Sequence, residues 1–377
     1  MEPIVRTRLR CPSVIWGVLI LFAVTSCAAF GPRTIPPDRF NYNQAIAESA
    51  KTQMLLNLVR LRYLDVPVFL KVSSVVTQYT YEGEAGINAV RGFQSAPNLL
   101  GAEANLGYAE RPTISYQPLA DRAFTKRMLS TFSPEAIFSF AEAGWPVDLI
   151  LKVGVERIND VRNLSFAAVP PPGELDLRRQ IEKNLRDAQI YHQVIRLMLT
   201  LSARGVLRTR LSSDDNDETR TIVFKSTGEE ENDALIRELK QHLGLDPSLD
   251  EYRFANRITK RKPNEIAVQP RSLLAMMQYL SKGVDVPPSH ADESNVVEYF
   301  KDTDAENRRA LVPLTIRSSA EPPARAHAAI KYEDFWYYIE RTDFLSKRSF
   351  ALLLLLLQMQ SDGGNAKGPI LTLPAGG

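Results

Sequence analysis

Apolar residues recur at three- and four-residue spacing over 41–62, where Ile46, Ala50, Met54, Leu58 and Leu61 mark one face. That period predicts an amphipathic helix. Asn41 with Gln44 three residues on reads as its N-cap and capping-box partner, and Pro67 prevents continuation. The period then changes to two. Val68, Leu70 and Val72 alternate, and Val75, Thr77, Tyr79 and Tyr81 alternate in the opposite phase. The flip at Ser73-Ser74 predicts a β-bulge or tight bend, because a one-residue slip exchanges the two faces of a strand. Residues 83–86, bounded by Gly83 and Gly86, read as a turn, and short strands follow at 104–108 and 113–116. Residues 119–132 and 134–143 predict helices, and 149–158 alternates enough to predict a strand.

Pro170-Pro171-Pro172-Gly173 interrupts the pattern. Three prolines favour an extended spacer, so this is either a boundary between two regions or a loop inside one domain. Beyond it lies the strongest helix, 175–204, with Leu177, Ile181, Leu185, Ala188, His192, Ile195 and Leu199 in one stripe and Gly205 at its end. Strands are expected at 206–211 and 221–225 around an acidic loop at 212–219, then a helix at 232–243. A strand at 265–268 and a helix at 273–281 follow, with a long polar loop over 285–309. Strands at 311–317 and 328–332 and the aromatic run Phe335-Trp336-Tyr337-Tyr338-Ile339 precede a leucine-rich helix over 344–360, N-capped by Asp343. Gly363-Gly364 stops that helix, and a last strand is expected at 369–373. Helices and short strands without a regular βαβ rhythm predict an α+β protein with mostly antiparallel strands.

The N-terminus reads differently. Arg6, Arg8 and Arg10 precede an apolar run from Val14 to Val24 broken only by Gly17. A basic start and a short apolar core describe a secretory signal, and the run is about half the ~20 residues a spanning helix needs. The next residues bring the run to Val24-Thr25-Ser26-Cys27, which resembles the lipobox of bacterial lipoproteins. The resemblance implies diacylation of the Cys27 thiol and cleavage before it. Membrane lipid is then a partner through the acylated Cys27, since several acyl chains hold far more firmly than one. Ala28 in the next position, where Asp commonly retains lipoproteins in the inner membrane, implies the periplasmic side of the outer membrane. The expected organisation is a signal peptide at 1–26, the lipidated Cys27 and a Pro-rich extended tether to residue 37, an N-terminal region at 38–169 and a C-terminal region at 174–377.

The small net charge belongs to the signal. Three of the 46 Lys and Arg and one of the 44 Asp and Glu fall within residues 1–26, leaving a balanced body. A neutral body argues against broad binding of nucleic acid or anionic lipid. The two cysteines are Cys11, in the signal, and Cys27, so no disulfide is expected and the core must carry stability.

Candidate chemistry is sparse. His192 sits on the strong stripe with no His, Cys, Asp or Glu one turn away, since Ala188 and Arg196 flank it. It therefore reads as a core histidine before a base or ligand. Asp214 to Glu218 lacks the Gly and distal Glu of a calcium loop and reads as a solvated hairpin tip. Trp336 and Tyr338 share one strand face, Phe335 and Tyr337 the other, so a glycan-stacking pair competes with core packing. Leu352 to Leu357 is far too short for a bilayer and reads as a buried helix. Lys260-Arg261-Lys262 reads as a loop. No motif for phosphate, dinucleotide, zinc or serine-nucleophile chemistry occurs, so no cofactor or metal is expected.

Residues 41–75 and 335–358 resemble an uncharacterised family of proteobacterial lipoproteins, which transfers no site residue. Taken together, the expected role is a non-enzymatic envelope protein that binds or scaffolds other envelope proteins. A periplasmic hydrolase of peptidoglycan or another envelope polymer is the rival, and a subunit of an export assembly is a third reading.

Overall fold

A computed structural model describes residues 35–90, 99–164, 174–214, 217–225, 227–256, 262–292, 296, 299–300 and 303–361. The signal peptide, Cys27, the proline run at 170–172, Lys260-Arg261 and the strand expected at 369–373 lie outside them. The chain is a mixed α+β protein, with ten helices and three mostly antiparallel sheets among the described residues. Among the described residues, those up to Ala50 fall in one compact unit and those from Lys51 in another.

Helix α1 runs from Ile35 to Arg62. It begins six residues before the expected Asn41 cap, so 35–37 are helical rather than an extended tether. Pro36 and Pro37 fit there because first-turn N–H groups have no intrahelical acceptor. Burial of the stripe starts at Met54 and continues through Leu55, Leu58, Val59 and Leu61, whereas Ile46 is exposed. The helix ends with Leu64 at φ 63, and the Asp65 N–H donates to the Arg60 carbonyl at 2.8 Å. A left-handed residue after the last turn is ordinarily glycine, and here an exposed leucine takes it.

Strands β1 (Leu70–Val90) and β2 (Leu99–Pro118) form a two-stranded sheet of their own. Their antiparallel register runs from Leu70↔Pro118 to Val90↔Leu99, with a shift between Val72 and Ser74 where the phase flip predicts a bulge. The expected turn at 83–86 is strand interior, and the two short strands expected at 104–108 and 113–116 are one continuous strand. Glycine and glutamate disfavour strands, but a long cross-strand ladder outweighs that preference. The base of the hairpin is held by α1. The buried Asn57 amide donates to the Val68 carbonyl at 2.7 Å and accepts from the Val68 N–H at 2.9 Å. One turn earlier, Gln53 makes the same reciprocal pair with Leu70, at 3.2 and 3.3 Å.

Helices α2 (Arg122–Leu129), α3 (Pro134–Glu142) and α4 (Val147–Gly154) follow. Asp121 and Ser133 cap the first two by accepting from Phe124 and Ala136 N–H groups. The strand expected at 149–158 divides into the end of α4 and β3 (Val155–Ile158), since a short apolar run does not by itself separate helix from buried strand. β3 and β4 (Val161–Arg162) join β5 (Leu207–Asp214), β6 (Asp217–Phe224), β7 (Glu251–Asn256) and β8 (Glu265–Pro270) in a six-stranded sheet. Its order is β4-β3-β8-β7-β6-β5, antiparallel except between β7 and β8. Strands from both sides of the proline run therefore share one sheet. The acidic stretch expected as a loop is mostly strand, with Asp214 paired to Asp217.

Helix α5 (Glu174–Ala203) buries Ala188, Tyr191, Val194, Ile195 and Leu201, and Gly205 follows at φ 69. Helices α6 (Glu230–His242) and α7 (Leu273–Ser281) lie near their expected places. The region expected as a long loop contains α8 (Pro288–Asp292) and α9 (Ala305–Leu311). The strand expected at 311–317 is instead the end of α9 followed by the short β9 (Arg317–Ser319). β9 joins β10 (Ala326–Tyr332) and β11 (Phe335–Glu340) in the order β10-β11-β9. Asp343 accepts from the Ser346 N–H at 3.1 Å at the start of α10 (Phe344–Ser361). α10 buries Leu352, Leu353 and Leu356 but exposes Leu355 and Met359, so the leucine run is one-sided rather than enclosed all round.

Candidate functional site

One polar constellation joins three distant pieces of chain. The left-handed Leu64 and the turn behind it direct Tyr63 and Asp65 off the end of α1. The Glu333 turn between β10 and β11, at φ 50, brings Tyr332, Glu333, Phe335 and Tyr337 close together, and α8 contributes His290. The Tyr63 hydroxyl lies 2.6 Å from the Tyr337 hydroxyl and 2.7 Å from His290 Nδ1. His290 Nε2 stands 3.6 Å from a Glu333 carboxylate oxygen. The Tyr332 hydroxyl donates to the Asp65 carboxylate. The rings support this geometry edge to face, with centroids 5.6 Å apart for Tyr63 and His290 and 5.0 Å for His290 and Phe335.

The order Glu333, His290, Tyr63 has the sequence of roles found in an acid–base–nucleophile relay. Its electrostatics oppose that use. Burial raises the Tyr63 phenol above its ordinary value, outweighing the hydrogen bond from Tyr337 that lowers it. Burial and the bond to Tyr63 raise Tyr337 as well. Burial, reinforced by Asp65, raises Tyr332. All three phenols hold their protons, and the Glu333–His290 separation exceeds a hydrogen bond. The network fastens the end of α1 to the C-terminal sheet. Tyr63→Phe removes both bonds from one hydroxyl and should cost about 1–3 kcal/mol in urea unfolding.

Beside this network is a cavity of about 360 Å³ whose walls include Arg62, Lys282, Asp285, Tyr299 and Arg308. Lys282 Nζ lies 4.4 Å over the Tyr299 ring, and Arg308 pairs with Asp285 at 2.8 Å. Burial, aided by Arg62, brings the Lys282 ammonium down to about 7. A second, apolar cavity of about 210 Å³ lies between α3, α4, α5 and the six-stranded sheet, with Ile137, Leu151, Met198 and Phe254 in its wall.

The residues nominated from sequence fall in separate places. Trp336 and Tyr338 are half-buried on the face of β11 opposite the buried Tyr337 and Ile339. Trp336 pairs across the strands with Lys331 and Ser319, and Tyr338 with Ala329 and Arg317. Of the aromatic run, Tyr337 is buried, while Phe335, Trp336 and Tyr338 are half-buried. His192 is buried on α5, and its Nε2 has no hydrogen-bond partner among the described residues. Cys27 lies outside the described residues. Among the described residues no group of three or more His, Cys, Asp or Glu is placed to hold a metal. Tyr63, His290 and Glu333 carried no sequence signal, because their spacing follows no local period; Tyr337 was visible only as part of the aromatic run.

His192 gives a pH prediction. Burial, with Lys152, Arg196 and Arg271 nearby, lowers its pKa from 6.5 to about 3. The folded protein keeps it neutral while the unfolded chain binds a proton below 6.5. Its contribution is present above that pH and lost as the pH falls toward 3. Between pH 7 and pH 4 the loss should be about 3 kcal/mol, and His192→Gln should flatten the acid limb of urea-unfolding stability.

No protein-family model, no curated protein and no solved structure matches this chain.

Proposed function

We propose that this chain is a lipid-anchored, periplasm-facing outer-membrane protein that binds or scaffolds other envelope components. The observation that carries this reading is the long β1–β2 hairpin, a separate sheet whose base is clamped to α1 and whose outer edges pair with no third strand among the described residues. An open strand edge is a template for pairing with another chain, and natural proteins ordinarily keep such edges short or covered. The lipobox-like Val24-Thr25-Ser26-Cys27 supplies the address. Cys27→Ser should move the protein from the membrane fraction to the soluble periplasm. Unchanged fractionation with no acyl mass on the wild-type N-terminus would remove the anchor.

The second reading, a hydrolase acting on peptidoglycan or another envelope polymer, rests on the order Glu333, His290, Tyr63 alone, against the raised phenols and the 3.6 Å gap between Glu333 and His290. Purified protein and its His290→Ala variant should differ in release of labelled peptidoglycan fragments if that reading holds. Under the scaffold reading neither releases fragments, and the variant changes only stability.

A further inference from the structure

We infer that the β1–β2 hairpin spans the membrane and that neighbouring copies of this chain complete its edges, closing a β-barrel through the bilayer. This rests on the lipid-anchored reading above and names the partner as a second copy. Residues directly opposite one another in an antiparallel ladder share a face, and successive residues alternate. The register therefore places Tyr81, Gly83, Ala85, Ile87 and Ala89 on one face with their partners Tyr108, Leu106, Ala104, Ala102 and Leu100. None of these ten positions carries a charge. The other face takes Glu82, Glu84, Gly86 and Asn88 opposite Gly107, Asn105, Glu103 and Gly101. One face is hydrocarbon-compatible and the other is polar with three carboxylates.

The length fits as closely as the chemistry. A transmembrane strand needs about 9–11 residues tilted near 45°. Tyr81 to Ala89 and Leu100 to Tyr108 supply that run on both strands. Tyr79, Tyr81 and Tyr108 hold register positions at the end of the run nearest the base of the hairpin, and aromatic residues mark the water–lipid boundary of such barrels. Glu110, the charge on the apolar face, pairs with Tyr79 just outside the run. An isolated hairpin cannot remain in hydrocarbon, because its edge N–H and C=O groups find no water there; only closed barrels satisfy them. Each copy brings two strands, so the count is even, and about four or more copies are needed to reach the smallest known barrels. The polar face then lines the lumen, where rings of glutamate select cations.

The test uses the full-length lipidated protein, extracted from membranes in mild detergent and reconstituted into phosphatidylethanolamine–phosphatidylglycerol bilayers with KCl as the probe. Expected are an oligomeric mass by light scattering and a cation-selective conductance. Ala85→Arg and Ala104→Arg, on the apolar face, should each lower conductance roughly tenfold or more. Glu84→Gln should keep the oligomer and the conductance but weaken the preference for K⁺ over Cl⁻. Wild-type protein that stays in the membrane fraction yet is monomeric and silent, or arginine variants that conduct like wild type, would overturn the inference while leaving the anchor intact. Wild-type protein found in the soluble fraction would sink both.

Discussion

Arg271→Ala is expected to lower the stability of the folded unit by about 3–5 kcal/mol. The Arg271 side chain is 2 % exposed and lies just after β8. Its guanidinium donates to the carbonyls of Lys152 at 3.0 Å, Val153 at 3.2 Å and Leu164 at 2.6 Å. Its Cζ lies 4.1 Å from the Tyr279 ring centroid. Burial depresses the pKa of the group, and the tyrosines and Glu156 offset part of that cost. The residue thus ties the end of α4, the segment after β4 and α7 into one core through a single fork. Alanine removes a donor from three carbonyls, of which that of Lys152 keeps the Asn163 amide at 2.8 Å, and opens a void where the side chain stood. Arg271→Lys keeps the charge but cannot reproduce the planar fork, so it should recover less than half of the loss. Urea midpoints at constant slope measure both. A change under about 1 kcal/mol for alanine would show that water or rearranged neighbours satisfy those carbonyls.

Gly283→Ala should be comparably damaging for a steric reason. A Cβ at Gly283 would stand 1.8 Å from the Leu314 carbonyl oxygen and 2.9 Å from its carbon. Both atoms are backbone, so no side chain can swing aside. The close approach is held by two cross-links: Ile316 N–H donates to the Gly283 carbonyl at 2.9 Å, and Asp285 N–H to the Ile316 carbonyl at 2.8 Å. Relief requires the segment entering β9 to retreat by more than an ångström, breaking both bonds and unseating Leu314 and Ile316 from the core. The expected cost is about 3 kcal/mol or more. Gly154→Ala is the matched control. Its Cβ would meet Ile137 and Met276 side chains at 3.6–3.8 Å, ordinary contact, and it ends a helix, so stability should change by less than about 1 kcal/mol.

Elements with a strong local signature were legible from sequence. The helix expected over 175–204, the Gly205 stop, the bulge at Ser73-Ser74 and the Asp343 cap all rest on interactions within a few residues. The hairpin was legible in phase but not in length, because Glu82-Gly83-Glu84-Ala85-Gly86 has turn composition and is made strand by its partner. β7 was missed: its Tyr252 and Phe254 alternate over too few residues to stand out. The Tyr63 network was invisible because it joins residues 227 and 274 positions apart, and no periodicity spans such separations. Arg271 failed for the same reason; a lone arginine after a strand carries no sign that three carbonyls converge on it.

The amide clamp at Gln53 and Asn57 makes the second half of α1 a handle for the hairpin. Because both side chains grip alternate residues of the incoming strand, the ladder must turn with the helix rather than hinge against it. With a rise of roughly 3.3 Å per residue, a rotation of ~5° at the handle would displace the distal rungs by several ångströms. Positioning of the far end is thereby delegated to two carboxamides at the near one.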